Sequence, residues 1–539
     1  MRVMVVVGAL ATVAVAADVR TVVEETDFGR TSTYAEVVDF VGEVARRADA
    51  VALATLATSV EGRAIPLVIL SQERVRTPAE LRATGKPAVL VMANIHAGEV
   101  EGKEACQMLI RDVALGPLAG LLEHQVVLVV PIFNADGNDK LGANRRDNGP
   151  PLAGVRHNGQ YLDLNRDYTK LESPEVRGLV RLFATWDPVV VVDMHTTNGS
   201  YHREPVTYTT GVNPNGSARL SDYMWGSFFP AVTARLAAAG WESVPYGNFV
   251  DAAEPGKGWE NDAVEARYGT NYVALRNRLS VLDENYAYAD FKTRVLASFA
   301  FVREILAFTN AHAAEIVSLV RQADAEARDG APGGQFVSAW KLEPLMEVTV
   351  RTFRFEKTPT TAEERARSPW LGEFRMKPTA EHREVTVPYL SRAAATASVP
   401  LPAGYLLLPG FPEVVENLLL HGVALERLEQ PLRVAGERFA VAGVEPATSI
   451  YQGRVMVTIT GRWEPVEEEV PAGTVFVDLR QPLARLVPVL LEPSSPDGLP
   501  AWGFFNRALV RQWSREPGVF PVLRVGARPR VPTQTLGQP

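Results

Sequence analysis

Residues Lys86–Ile95 read KPAVLVMANI, and the chain continues directly into His96-Ala97-Gly98-Glu99. A short, unbroken apolar run of this kind reads as a strand covered on both faces, the type that parallel sheets use. Helical spacing follows over Glu99–Val113. The same texture recurs on either side. Leu67–Leu70 (LVIL), Gln125–Phe133 (QVVLVVPIF) and Pro188–Met194 (PVVVVDM) are further apolar runs, and Leu279–Leu282 ends another. Between them, 33–48 (TYAEVVDFVGEVARRA), Pro174–Ala184, Ser221–Ala239 and Asp290–Val320 carry helical periodicity. Pro174 is preset for a helix start. Buried strands alternating with helices predict an α/β fold with a mixed, largely parallel sheet flanked by helices.

The texture changes after this. Ala323–Gln335 (ADAEARDGAPGGQ) is polar and rich in Ala, Gly and Pro, which predicts a linker. Beyond it come short β-like runs at Met346–Phe355, Glu384–Tyr389, Tyr405–Leu408, Arg454–Thr460 and Val475–Asp478, with Pro482–Leu491 helical. The expected organisation is a catalytic domain over 17–325 and a β-rich C-terminal accessory region over 336–539, with no internal repeat.

Charge and cysteine content narrow the function. The net charge of −8 gives no electrostatic case for nucleic acid. The single cysteine, Cys106, rules out an intramolecular disulfide and a cysteine-based zinc cage, and its apolar helical run suggests an inert thiol. At the N-terminus, Arg2, an apolar run from Val3 to about Val13 and Ala14-Val15-Ala16 read as a secretory signal peptide over 1–16. Secreted or periplasmic location is the expectation. No other segment is apolar for long enough to span a membrane.

The chemistry-bearing residues sit where strands end. His96 lies just past one apolar run and Glu99 opens the following helix; His195 follows another run in Asp193-Met194-His195-Thr196-Thr197. Two histidines and one carboxylate leave a position open for water, the pattern of a catalytic rather than a structural zinc site. Asn134 and Glu284 also follow or end predicted strands, and sites in open α/β sheets gather at carboxyl ends of strands. His96 alone would read as an ordinary surface or core histidine; the recurrence of the pattern points to a metal.

Five stretches carry a family likeness: NIHAGEVEGKE (94–104), FNADG (133–137), YLDLNRDY (161–168), VVDMHTTNGSYH (191–202) and NYVALRNRLSVLDENYAY (271–288). In order and spacing the chain resembles the zinc carboxypeptidase (funnelin) superfamily from about Tyr34 to Val320, and most of all its large bacterial members with a signal peptide and a C-terminal extension. The resemblance implies one Zn²⁺ per chain on His96, Glu99 and His195, with Glu284 as general base for a zinc-activated water. It implies Asn165 and Arg166 as the grip on a substrate's terminal carboxylate, and Asp163 as the carboxylate behind the first histidine. Arg145, or its neighbour Arg146, is implied as the oxyanion arginine, and Tyr272 as a substrate contact. Each role is chemically apt. A guanidinium pairs with a carboxylate through two hydrogen bonds, and a fixed cation stabilises a tetrahedral oxyanion.

The implied partner is a peptide with a free C-terminus. Zinc amidase activity on cell-wall peptides or N-acyl amino acids is the near alternative, and a non-catalytic peptide- or glycan-binding module the distant one. Asp163 also reads as a turn residue, and Tyr272 as buried packing. Arg276 and Arg278 read either as substrate contacts or as caps of the sheet edge, and His202 as a pocket-lining candidate. A serine hydrolase is excluded by the lack of a GxSxG elbow.

Overall fold

The computed structural model describes residues 18–144, 146, 148–331, 333–367, 372–510 and 518–537. The expected signal segment, 1–16, and Arg145 lie outside the described residues. Among the described residues, no helix is long and apolar enough to cross a membrane.

Eight strands form one sheet: β1 (Val51–Thr58), β2 (Ala64–Leu70), β3 (Ala88–Ala93), β4 (Val126–Val130), β5 (Val190–Thr197), β6 (Val206–Thr209), β7 (Ser243–Pro245) and β8 (Leu279–Tyr286). Their spatial order is β1-β2-β4-β3-β5-β8-β6-β7. The central run β4-β3-β5-β8 is parallel throughout. Antiparallel pairs flank it at β1–β2, β2–β4 and β8–β6. The mixed, largely parallel α/β sheet expected from the sequence is therefore present.

The central strands are buried on both faces because helices cover both. One face packs against α1 (Tyr34–Arg47), α2 (Glu101–Ala114) and α5 (Phe291–Ala311), with Val41, Leu109, Ile110 and Phe301 meeting Val89, Val91, Val190 and Val192. The other face packs against α3 (Pro174–Trp186) and α4 (Gly269–Leu275). Each fully buried aliphatic side chain here contributes about 1.5–3 kcal/mol. Local signals set the helix starts. Thr33 and Glu36 form a capping box for α1, Ser173 caps α3 ahead of Pro174, and Asp290 caps α5.

The chain does not break where its polar stretch predicts a linker. Residues 323–330 complete helix α6 (Ala313–Gly330), and Ala323 and Ala327 are buried. Alanine-rich, charged sequence is good helix former as well as good linker, and the packing of these two alanines decides between them. The helix expected over Asp290–Val320 is two helices, divided at His312.

The region beyond is β-rich. A long hairpin, β9 (Gln335–Pro359) with β10 (Phe374–Pro400), adds onto the short catalytic-side segments Asn248–Phe249 and Trp259–Glu260. A seven-stranded sheet follows, built from β11 (Gly404–Leu407), β12 (Glu426–Leu428), β13 (Leu432–Pro446), β14 (Val457–Val470), β15 (Val475–Asp478), β16 (Val522–Val525) and β17 (Thr533–Thr535). Helices α7 (Pro412–Leu420) and α8 (Leu486–Leu491) accompany it. Tyr405, Leu418 and Phe505 from this region share one apolar cluster with Leu128, Leu179 and Tyr272 from the catalytic side. The interface between the two regions is thus core.

Candidate metal centre and cleft

Strand β3 ends at Ala93, and Asn94 turns the chain in a left-handed conformation (φ 66°). The Asn94 amide donates to the carbonyls of Ala97 and Glu99, at 3.4 and 3.2 Å, and so holds the following turn. Asparagine tolerates this backbone region better than most residues. The turn brings His96 and Glu99 together ahead of α2. Their neighbour β5 runs three residues beyond the Ala93–Met194 pair, and His195 is the first of them. In the adjacent parallel strand Glu284 stands level with His195. Three separate strand ends therefore place four polar side chains at one point.

His96, Glu99 and His195 are all buried, and they offer ligand atoms within 4.8 Å of one another. His96 Nδ1 lies 3.0 Å from Glu99 Oε1, and His195 Nδ1 lies 3.0 Å from Glu99 Oε2. The opposite nitrogens face carboxylates: His96 Nε2 is 2.9 Å from Asp163 Oδ1, and His195 Nε2 is 3.0 Å from Asp193 Oδ2. A carboxylate at Nε2 favours the tautomer that keeps its proton there, leaving a lone pair on Nδ1. Two such lone pairs then face carboxylate oxygens at contact distance. That arrangement of acceptors is stable only around a cation, either a proton or a metal ion.

The electrostatics agree. Burial alone would raise the Glu99 carboxyl, but His96 and Arg146 outweigh it and hold the group well below the usual carboxylate range. Burial alone would lower His195, yet Asp193 and Glu99 outweigh it and raise the imidazole well above its ordinary value. The donor set of two imidazoles and one carboxylate, each imidazole backed by a second carboxylate, suits zinc.

Glu284 is the other unusual group. Burial pushes its carboxyl up to about 8, with His195 opposing and Glu99 adding to the rise. Its Oε2 is buried with no hydrogen-bond partner among the described residues. It borders a cavity of about 190 Å³ that also touches His96, Glu99, Arg146, Arg156, Asn165, Arg166 and His195. Arg166, which lines the same cavity, lies over the ring of Tyr268, 4.3 Å from guanidinium carbon to centroid, and 4.0 Å from Asp163 Oδ2.

Residues 37–210 match the family model described as zinc carboxypeptidase. Over this stretch the chain is similar to the zinc carboxypeptidase superfamily. It is 23% identical to "Carboxypeptidase 2" of Trichophyton equinum over 463 residues, which cover 83% of this chain and 78% of that protein. A shorter match, 29% identical over 157 residues, joins 24% of this chain to 11% of "Carboxypeptidase D" of Mus musculus. Among solved structures, a metallo-carboxypeptidase from Burkholderia cenocepacia aligns with TM-score 0.38 at 18% identity, over 52% of this chain and 69% of its own. Carboxypeptidase A from Helicoverpa armigera aligns with TM-score 0.41 at 16% identity, over 53% and 75%. The family implies zinc, and metallocarboxypeptidase activity is the class of chemistry to which this chain belongs.

Within this family setting, most of the residues singled out from the sequence converge on the cleft. Asp163 backs His96, and although burial opposes its charge, His96 and Arg156 hold it well below the usual carboxylate range. Asn165 accepts from the backbone N–H of Gly269 at 2.8 Å. A side chain at Gly269 would collide with the Tyr168 ring, so this close approach requires glycine. Arg146 donates to Glu99 Oε1 at 2.7 Å and to the carbonyls of Gly98 and Thr196.

Tyr272 is not in the cleft. It is fully buried, its ring packs on Tyr168 and Phe183, and its hydroxyl meets His421 Nδ1 at 2.8 Å. Arg276 donates to that hydroxyl at 3.1 Å and to the His421 carbonyl. Tyr268, one helical turn earlier, borders the cavity instead. Arg278 pairs with Asp187 and Asp324, and His202 stacks on Tyr286 with ring centroids 3.9 Å apart. Asn134 caps a short turn and donates to the Arg156 carbonyl.

Two residues went unrecognised in the sequence. Arg156 donates to Asp163 Oδ2 at 2.7 Å, lies 3.5 Å from Glu99 Oε1 and borders the cavity. Tyr451 approaches from the C-terminal region and accepts from Arg166 Nε at 3.0 Å. Arg156 lies between two recognisable stretches, in a loop without periodicity. Tyr451 has no local signal at all, since its partner is 285 positions away.

Proposed function

We propose that the chain hydrolyses the C-terminal peptide bond of peptides that end in a free carboxylate, with one zinc per chain on His96, Glu99 and His195. The observation that supports this reading most directly is that the donor triad and the guanidinium of Arg166 border one small cavity. A cleft that offers both a cation site and a carboxylate receptor suits a substrate whose scissile bond lies one residue from its terminus.

His96, Glu99 and His195 would hold the zinc, which would supply Lewis acidity to the scissile carbonyl and to a water. The remaining work falls to the chain. Glu284 takes the proton of the attacking water on its cleft-facing oxygen and returns it to the leaving amine. Its burial matches it to that task, because a carboxylate removed from water is a stronger base. Arg146 and Arg156 both border the cavity, and Arg156 is assigned to the developing oxyanion because its one close bond is to Asp163, whereas Arg146 donates to Glu99 and to two carbonyls. Asp163 and Asp193 keep the two imidazoles oriented. Arg166 and Asn165 receive the terminal carboxylate. Export is part of the proposal and rests on the N-terminal segment alone.

The test is the rate on a peptide with a free C-terminus against its C-terminal amide, with products identified by mass spectrometry. Single-residue trimming of the free acid and slow turnover of the amide are expected. Equal rates on both would remove the exopeptidase reading and leave the amidase alternative.

A further inference from the structure

We infer that the hairpin tip at Ile450–Arg454, contributed by the C-terminal region, positions the carboxylate-binding arginine and thereby sets the affinity of the cleft for its substrate. Tyr451 and Gln452 are the positioning residues. This rests on the reading of Arg166 as the carboxylate receptor.

Between β13 and β14 the chain makes a tight turn in which Tyr451 and Arg454 exchange both backbone hydrogen bonds, at 2.8 and 3.0 Å. Gln452 (φ 50°) and Gly453 (φ 76°) occupy the two central positions. Positive φ at both is the signature of a type I′ hairpin, a rigid way to present a side chain. Tyr451 at this tip accepts from Arg166 Nε at 3.0 Å. Gln452 accepts through Oε1 from the backbone N–H of Asp163 at 2.8 Å. One tip therefore holds both the guanidinium and the segment that carries it.

The tip is itself held. The Tyr451 ring stacks on Trp502, with centroids 6.0 Å apart and planes 18° from parallel. Arg454 donates to Glu172 Oε1 at 2.7 Å, and Trp502 donates to Thr169 Oγ1 at 3.1 Å. Residues 163–172 are thus fastened to the C-terminal region at several points.

The geometry also explains why the tyrosine matters. A guanidinium offers five N–H donors in one plane. Arg166 uses Nε on Tyr451 and Nη1 on the Asn165 carbonyl at 2.9 Å. With those two fixed and Tyr268 beneath the plane, rotation about the last bonds of the side chain is removed before substrate arrives. Preorganising a receptor in this way strengthens binding, and does so without touching the bond-breaking step.

The experiment uses the full chain loaded with zinc, on a blocked dipeptide with a free C-terminal carboxylate and on its amide. Tyr451→Phe removes the acceptor and keeps the ring stack. It is expected to raise KM on the free acid about 10-fold, with kcat within about threefold and the melting temperature unchanged. Gln452→Ala should shift KM in the same direction, and carries the test if Tyr451→Phe fails to fold. If wild type prefers the free acid and neither variant that folds changes KM, or if kcat falls while KM stays fixed, the inference is overturned. If wild type does not distinguish acid from amide, the carboxylate reading fails first and this inference with it.

Discussion

Among the residues that border the cleft, His96, Glu99, His195 and Glu284 come from strand ends and the turn before α2, all within a single sheet. Arg166 borders the same cleft but sits on a short irregular segment and is braced by Tyr451 from a different sheet, 285 positions later. The metal side is rigid because parallel strands with hydrogen-bonded neighbours define its geometry, with Glu284 level with His195. The Arg166 side, where we propose that the carboxylate binds, has no such frame and is braced by the C-terminal region. A cleft divided in this way can change what it binds through its accessory region while the reacting groups stay in place.

If the comparison is right, damage to the metal side should appear in kcat and damage to the Arg166 side in KM. The largest effect should come from zinc removal. Chelation is expected to abolish hydrolysis and lower the melting temperature, both restored by added zinc; a chelated protein that retains full activity would break the comparison at its root. Next, Glu284→Gln should lower kcat by about 10²- to 10⁴-fold while metal analysis still finds zinc. Arg166→Ala should lower kcat/KM by about 10- to 100-fold on free-acid peptides and leave the slow rate on amides unchanged. A comparable loss on both substrates would mean that the two sides are not separable.

A pH experiment sharpens the picture of the metal side. Burial raises the Glu284 carboxyl to about 8 in the metal-free cleft, above its unfolded value of 4.5. The folded protein then binds more protons than the unfolded chain between those values. Its contribution to stability is present below about 4.5 and lost as pH rises through about 8. Metal-free protein should therefore melt lower at pH 8.5 than at pH 6, and Glu284→Gln should flatten that slope. The smallest effect belongs to Tyr272→Phe, which should cost about 1 kcal/mol of stability and leave KM unchanged, because the hydroxyl serves His421 and Arg276 rather than substrate.

Tyr272, which the sequence leaves open between substrate contact and buried packing, shows where sequence reading runs out. Tyr268 and Tyr272 lie one helical turn apart, and no periodicity distinguishes the one that borders the cavity from the one that packs on Tyr168 and Phe183. The arginines pose the same problem: Arg146 and Arg156 both reach Glu99, from positions 47 and 57 residues away. Residues 323–330 illustrate a different limit, because their composition suits both a linker and a helix, and only the burial of Ala323 and Ala327 selects the helix.

The sequence by itself determined the α/β sheet, the strand ends and the identity of the groups placed there. Apolar runs, capping residues and the His-Glu pair three positions apart act over a few residues, and each leaves a readable local mark. Only the tertiary structure decided that Arg146 and Arg156 both border the cavity, that Tyr272 is buried, and that a turn at Gln452-Gly453 reaches across to Arg166. Those contacts depend on two sheets packing through a shared core. A hydrogen bond between residues 285 positions apart leaves no pattern in either stretch of sequence that makes it.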